Sequence, residues 1–311
     1  MIKETKRNKM FLVDKKLVYS LSAILIAIIA LIGLIFFSGE KNQNLEVVFL
    51  DVGQGDSILI KVPRALGGQK ILIDGGPSNG IAQELSPHLP FYDQEIDLMI
   101  LSHPHSDHIT GLIEVLKRYE VSKVLYTGVL HTSADYLAWL ALIREQGIPL
   151  EIIDQRQNIA LADNLSLEIV YPWTNLVSQA VKDLNDSSII AKLTYNSVSF
   201  LLTGDATSLV EQELLDAGIN LKANVLKVSH HGSSDSSSQE FLEAVNPEIA
   251  VIQVGKDNPF GHPRYRTLRR FEEIGTQVYR NDLDGEVRIK TNGQEILVFL
   301  EGLDYNMVKL E

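Results

Sequence analysis

From Leu45 onward the chain alternates short apolar runs of strand length with longer stretches in which apolar positions recur at helical spacing. Residues 45–52 (LEVVFLDV) and 56–62 (DSILIKV) flank Gly53-Gln54-Gly55 and predict two strands joined by a tight turn, with a third strand at 70–76. A buried strand is predicted at 96–103, a helix over 108–119 with Lys117 and Arg118 near its end, a strand at 121–128, and a helix over 133–147 closed by Gly147. Strands follow at 164–171, 187–195 and 197–203, then helices at 207–215 and 238–245 around a strand at 224–230. A strand at 248–255, a helix at 264–273 and two strands, 285–291 and 295–301, turning at Asn292-Gly293, complete the pattern. Two strand-rich halves with helices between them predict one layered α/β domain.

The first 44 residues follow another rule. Residues 17–37 (LVYSLSAILIAIIALIGLIFF) carry no charge, and at about 1.5 Å per residue they reach roughly 30 Å, the thickness of a bilayer's hydrocarbon core. Residues 1–16 hold six Lys/Arg against Glu4 and Asp14, a net of 6 − 2 = +4 in a chain of net charge −12. The expected organisation is a basic cytoplasmic tail (1–16), a transmembrane signal anchor (17–37), a linker (38–44) and an extracytoplasmic body (45–311). The competing reading is a cleaved signal peptide. It fits less well, because the apolar run exceeds the usual 7–15 residues and Phe36-Phe37 stands where small residues are wanted.

Composition narrows the chemistry. With no cysteine there is no disulfide framework, thiolate zinc site or cysteine nucleophile, so any metal must be held by His and carboxylates. The acidic balance argues against coating nucleic acid by bulk charge. The informative stretch is Ser102-His103-Pro104-His105-Ser106-Asp107-His108, between a buried strand and a helix. Three imidazoles and a carboxylate in six residues suit a borderline divalent ion such as Zn²⁺ or Mn²⁺. Further candidates stand at other strand ends: Asp205 after LLTG, His230 and His231 after LKVS, and His262 in FGHP.

HPHSDH, LLTGD, SHHGS and FGHP, in this order, resemble the metallo-β-lactamase superfamily, with its H-x-H-x-D-H pattern. With VGQGDS, ILIDGG, NDSSII and NDLDGEV, the likeness over residues 45 to about 295 is to the C-terminal hydrolase domain of ComEC-type DNA-uptake proteins and their stand-alone relatives. The resemblance implies a four-layer αββα fold, preceded here by the transmembrane helix, and two divalent ions, Zn²⁺ or Mn²⁺. It assigns His103 and His105 to one ion and Asp107 and His108 to the other, with Asp205 as the bridge. His230 would complete the second ion's ligands, with His231 as the alternative ligand or a supporting acid. Two such ions roughly 3.5–4 Å apart supply a hydroxide at neutral pH and neutralise charge at an attacked phosphorus. Asp107, His231 and His262 are the candidate catalytic groups, His262 as an acid toward substrate or leaving group. Where the superfamily has a third histidine for the first ion, this chain has Asn185, a candidate substrate-binding residue and a harder oxygen donor that favours Mn²⁺, loose binding or a first ion absent at rest.

Bland roles compete at several positions. Asp51, Asp56 and Asp74 are either turn residues or supports of the metal loop. Gly53, Gly55, Gly75 and Gly76 read as turn glycines, residues 233–238 as a solvated loop in which Ser233 touches substrate, and Trp139 and Trp173 as packing residues. The run RYRTLRR (264–270) is either a solvated helix face or a phosphate clamp built on Arg264 and Arg266. The expected function is a membrane-anchored, metal-dependent phosphodiesterase or nuclease acting on DNA or another phosphodiester. One spanning helix cannot form a pore, so a DNA-uptake channel is a candidate partner. The alternatives are a phosphoesterase on cell-wall or lipid-linked phosphate esters, and a non-catalytic metal-stabilised binding module; a β-lactam substrate is disfavoured.

Overall fold

A computed structural model describes residues 15–39, 44–301 and 306–308. Residues 1–43 and 44–311 separate into two units, taken here one at a time. In the first, the backbone is helical over Lys15–Gly39 (α1). The tail at 1–14 and most of the linker lie outside the described residues. Side chains of α1 are described without a break from 19 to 30, and Leu21, Ile24, Leu25, Ile26 and Ile29 among them are exposed. Among the described residues no helix is long and apolar enough to cross a membrane.

The second unit opens with antiparallel strands β1 (Leu45–Phe49), β2 (Ile58–Lys61) and β3 (Lys70–Ile73). Helix α2 (Ile81–Leu85), β4 (Glu95–Ile96), β5 (Leu98–Ile100), α3 (Ser106–Arg118), β6 (Glu120–Val121), β7 (Val124–Tyr126), α4 (Ala134–Gln146) and β8 (Leu150–Ile152) follow. The second half holds β9 (Gln157–Ala162), β10 (Leu165–Tyr171), β11 (Ile190–Tyr195), β12 (Val198–Leu202), α5 (Ser208–Asp216), β13 (Val225–Lys227), α6 (Gln239–Val245), β14 (Ile249–Ile252), α7 (Tyr265–Glu273) and β15 (Gln277–Arg280). After the short α8 (Asn281–Asp284), strands β16 (Val287–Thr291), β17 (Ile296–Leu300) and β18 (Asn306–Val308) return to the first sheet. The sheets run β18-β17-β16-β1-β2-β3-β5-β7-β8 and β15-β14-β13-β12-β11-β10-β9, and β4 pairs only with β6.

Alternation along β1 explains the layering. Leu45, Val47 and Phe49 face the second sheet, meeting Leu167, Leu193, Phe200 and Ile249, while Val48 and Leu50 face outward beneath α3 and α4 with Leu112, Val115 and Trp139. On the far side Leu226, Ala250 and Ile252 of the second sheet lie under α5, α6 and α7 through Val210, Leu214, Phe241 and Phe271. Strands apolar on both faces have helices on both sides, and the expected αββα order results. Each buried Phe or Leu contributes roughly 1.5–3 kcal/mol.

Local expectations fail in several places, and α2, β8, β15, α8 and β18 lie in stretches for which no element is predicted. The strand expected from Ser187 begins at Ile190, because residues 184–187 form a 3₁₀ turn in which Ser187 Oγ donates to the Leu184 carbonyl. Strand β9 lies in a stretch for which no element is predicted, and pairs with β10 along the sheet edge. In the middle of each sheet the neighbours are parallel, with Ile73 beside Ile100 and Leu202 beside Lys227. Their carboxyl ends therefore face one rim, the place where such sheets collect ligands.

Candidate metal centre

At that rim Asp74 follows β3, Ser102 and His103 follow β5, and α3 begins at Ser106 with Asp107 and His108 in its first turn. The Asp74-Gly75-Gly76 turn lies flush against α3: Gly75 N–H donates to the His108 carbonyl (2.7 Å) and Gly111 N–H to the Gly76 carbonyl (3.0 Å). A Cβ on Gly111 would sit 1.8 Å from the Gly75 carbonyl oxygen, so this approach requires glycine. From the other sheet comes Asp205, after β12, its N–H donating to Ser188 Oγ (3.2 Å). Beyond β13, His230 (φ 49°) and His231 (φ 52°) both adopt the left-handed conformation, uncommon for histidine. That double turn sends their rings different ways.

The ring that enters the centre is His231. Its Nε2 lies 3.3 Å from Asp107 Oδ2 and 3.3 Å from Asp205 Oδ2. His108 Nε2 lies 3.2 Å from Asp205 Oδ2 and 3.9 Å from Asp107 Oδ2. Asp107, His108, Asp205 and His231 each bring one donor atom within 4.8 Å of the others. Donors bound to one ion at about 2.0–2.2 Å in a tetrahedron stand about 3.3–3.6 Å apart, so the set has the edge lengths of a metal site. His103 Nε2 faces His105 Nδ1 at 3.0 Å, a second pair of converging nitrogens.

The tautomers agree with this reading. Each buried ring is engaged through Nδ1 and aims Nε2 inward. Asp74 Oδ2 accepts from His108 Nδ1 (2.9 Å), the Gln253 carbonyl from His231 Nδ1 (2.7 Å), and Ser102 Oγ from His103 Nδ1 (3.1 Å). Ser102 in turn donates to Asp74 Oδ2 (2.6 Å). Carboxylate or carbonyl behind imidazole is the support that orients metal-binding histidines. His231 Nε2 is buried without a hydrogen-bond partner at the centre of this cluster, where a cation fits, and Asn185 Oδ1 is likewise buried without a partner. The residues present therefore suit a divalent ion.

Charge follows from the crowding. Burial alone would push His108 and His231 down, but Asp205 and the other carboxylates outweigh it and hold both rings well above the usual histidine value. Burial likewise works against the charged form of Asp205, yet His231, His108 and Lys227 hold it well below the carboxylate range. His103 is kept neutral by burial and by the charge on His108. A divalent ion must displace the protons on His108 and His231, so metal uptake weakens as pH falls.

The structure brings His103, His105, Asp107, His108 and Asp205 together. It turns His230 outward, where Nδ1 meets Asp235 Oδ1 at 3.2 Å, and the ligand position expected for His230 falls to His231. His262 stands one ring further out, 5.8 Å from the His230 ring centroid. Burial and the charges on His230 and His231 push its pKa down to about 4, so at neutral pH it is a neutral hydrogen-bonding group rather than the expected acid. Ser233 is buried and its N–H donates to the His230 carbonyl, which holds the loop. Asn185 sits on the turn that leads to Ser188. Arg264 and Arg266 are exposed and have no ion pair among the described residues; Arg269 pairs with Glu272, and Arg270 donates to the carbonyls of Ser236 and Ser237.

Asp56 and Asp74 are supports: both are 1 % exposed beneath the ligands. Lys227 has no counterpart among the expected residues. It is fully buried at the end of β13, its Nζ bonded to Asp56 Oδ2 and to the Gly204 carbonyl (2.8 Å) and 3.4 Å from Asp205 Oδ1. A lysine inside the apolar run VLKV was the one available signal. Replacing Asp74 with asparagine is expected to weaken metal binding by about 10–100-fold, because the amide loses the charge that orients and polarises His108. Calorimetric titration with Mn²⁺ checks this, and wild-type affinity would mean that Asp74 only packs.

Comparison with known proteins completes the picture. Residues 50–256 match the model of the metallo-beta-lactamase superfamily. The chain is 30% identical over 274 residues to ComE operon protein 3 of Bacillus subtilis, covering 83% of this chain and 34% of that protein. It is 29% identical over 264 residues to Recombination protein 2 of Haemophilus influenzae, covering 82% of this chain and 30% of that one. It thus spans about a third of the length of these relatives. Among solved structures the diiron β-hydroxylase CmlA of Streptomyces venezuelae superposes with a TM-score of 0.51 at 14% identity, over 81% of this chain and 54% of that chain, a likeness of fold. Sheet order, histidine tautomers and family match converge: the chain belongs to the metallo-β-lactamase superfamily, whose fold binds divalent metals.

Proposed function

We propose that this protein is a membrane-anchored, metal-dependent phosphodiesterase whose substrate is nucleic acid. The observation that carries the reading is the Asp107–His108–Asp205–His231 cluster, with imidazoles supported through Nδ1 and Nε2 atoms directed at the carboxylates at metal-ligand spacing. When bound, divalent ions supply Lewis-acid neutralisation of the phosphoryl oxygens and a water of lowered pKa. The protein holds Asp205 between His108 and His231 on one oxygen and Lys227 on the other. The Asp107 side chain, 28% exposed, faces the opening. The buried amide oxygen of Asn185 adds a hard donor, which suits Mn²⁺.

Nucleic acid is favoured over small esters by Arg264 and Arg266, two guanidiniums beyond His262 without an ion pair among the described residues, in an otherwise acidic chain. The names of relatives, among them a recombination protein and a competence protein, support the same class. The exposed apolar side chains of α1 support membrane anchoring, with a DNA-uptake channel as the partner.

The test is a grid of metals against substrates with the full chain in detergent. Mn²⁺-dependent release of nucleotides from DNA, lost in Asp107→Ala, is the expected result. Replacing Arg264 and Arg266 by alanine is expected to raise KM for DNA and flatten its salt dependence by about two phosphate contacts. Turnover of lipid-linked phosphate esters without any of DNA would overturn the substrate; no turnover with any divalent ion would leave a binding module.

A further inference from the structure

Beyond the metal ligands the sequence reading leaves the loop between β14 and α7 with one assigned group, His262, yet the loop presents a large ring to water. Phe260 is 55% exposed, and its ring lies nearly parallel to that of His262 (13°, centroids 5.9 Å apart). The loop beneath is stapled: Asn258 Nδ2 donates to the carbonyls of Gly255 (3.0 Å) and His262 (2.8 Å), and Asn258 Oδ1 accepts from His262 N–H (3.0 Å). From Phe260 the rings step inward, His262 to His230 at 5.8 Å and His230 to His231 at 6.2 Å. His231 is the imidazole that meets Asp107 and Asp205. The row of rings thus runs from solvent to the metal centre. Arg264 stands beside it, its guanidinium 3.3 Å from the position a Cβ on Gly261 would take.

We propose that Phe260 is a stacking platform for an unpaired nucleobase of the strand being cut, so that the site takes single-stranded nucleic acid. This rests on the phosphodiesterase reading above. A flat apolar ring held by a rigid loop offers its face at low entropic cost, and any base has a π-face to match. In a duplex those faces are covered by neighbouring bases, and a small alkyl phosphate has none. Stacking on Phe260 with a phosphate at Arg264 would lay the backbone along the ring row toward His231. Stacking without hydrogen bonds to base edges gives little sequence preference.

The experiment uses the full-length protein and oligothymidylate. Phe260→Ala is expected to raise KM for the single strand by about 5- to 150-fold, the usual worth of one base–aromatic stack, with the effect carried by KM rather than kcat. Phe260→Trp is expected to restore KM. On an oligonucleotide with abasic sites opposite the cut, wild type and Phe260→Ala are expected to converge. A second readout needs no turnover: in EDTA, the added tryptophan of Phe260→Trp is expected to be quenched by oligothymidylate, beyond any change in wild type, and not by duplex. An active enzyme whose KM for single strands is the same in Phe260→Ala overturns the platform, as does equal quenching by duplex or by abasic strand. Loss of all nucleolytic activity in wild type, with quenching preserved, would sink the phosphodiesterase reading and leave a single-strand binding site.

Discussion

Lys227→Met is expected to lower the stability of the metal-free protein by about 3–5 kcal/mol, the usual cost of breaking a buried ion pair from one side. The ammonium is fully buried, and burial by itself would drive off its proton, but Asp56 and Asp205 outweigh that and keep it charged. Methionine matches its length and removes the charge, leaving Asp56 and Asp205, 1% and 2% exposed, with only the His108 and His231 rings to offset them. Urea denaturation in EDTA is the measurement, with a fall in midpoint at unchanged slope as the expected result. Two further arms isolate the cause. Asp56→Asn with Lys227→Met is expected to recover much of the loss, since removing both partners costs less than removing one. Saturating Mn²⁺ is expected to shrink the deficit, because the ions supply the missing positive charge. An unchanged midpoint in EDTA would mean that the carboxylates take up protons at no cost and that the pair is incidental.

On the proposed phosphodiesterase function, Asp205→Asn is expected to cut hydrolysis by at least about 1000-fold, the equivalent of some 4 kcal/mol of transition-state stabilisation. The reason is that both carboxylate oxygens are in use. Oδ2 stands 3.2 Å from His108 Nε2 and 3.3 Å from His231 Nε2, and Oδ1 stands 3.4 Å from Lys227 Nζ. An amide has one oxygen: whichever way it turns, its NH₂ faces either the lysine ammonium or the nitrogen pair that should hold a cation. Metal content by plasma mass spectrometry, measured beside turnover at saturating Mn²⁺, separates loss of the ion from loss of chemistry. Turnover within tenfold of wild type with full metal content would remove Asp205 from the centre of the mechanism.

Much of the site was legible because its largest part is contiguous. His103, His105, Asp107 and His108 straddle one strand-to-helix junction, and Asp205 follows a strand through Gly204, whose φ of 53° makes the turn. Adjacent residues were harder. His230 and His231 are equivalent in sequence, and two left-handed backbone conformations decide that His231 faces Asp205 while His230 faces Asp235. Lys227 was hidden by its own surroundings, since a strand buried on both faces predicts apolar residues throughout and the exception is intelligible only beside Asp56. Asp56 and Asp74 could be weighed only as turn residues or supports until His108 was seen bonded to Asp74. That Ser233 is buried, and that burial and neighbouring charge lower the pKa of His262, was not legible in their motif positions.

By itself the sequence determined the alternation of strands and helices, the apolar faces that make four layers, the charge-free stretch at 17–37 and the presence of a histidine–aspartate metal motif. These are local properties, written in the period with which side chains enter or leave water. Only the tertiary structure decided that β16 returns to pair with β1, Leu45 opposite Thr291, and that Asp56, Lys227 and Asp205 share one buried site. The reason is physical: periodicity records whether a residue is buried, whereas which charges meet depends on strand register, loop backbone and the desolvation that makes each unpaired charge seek a partner.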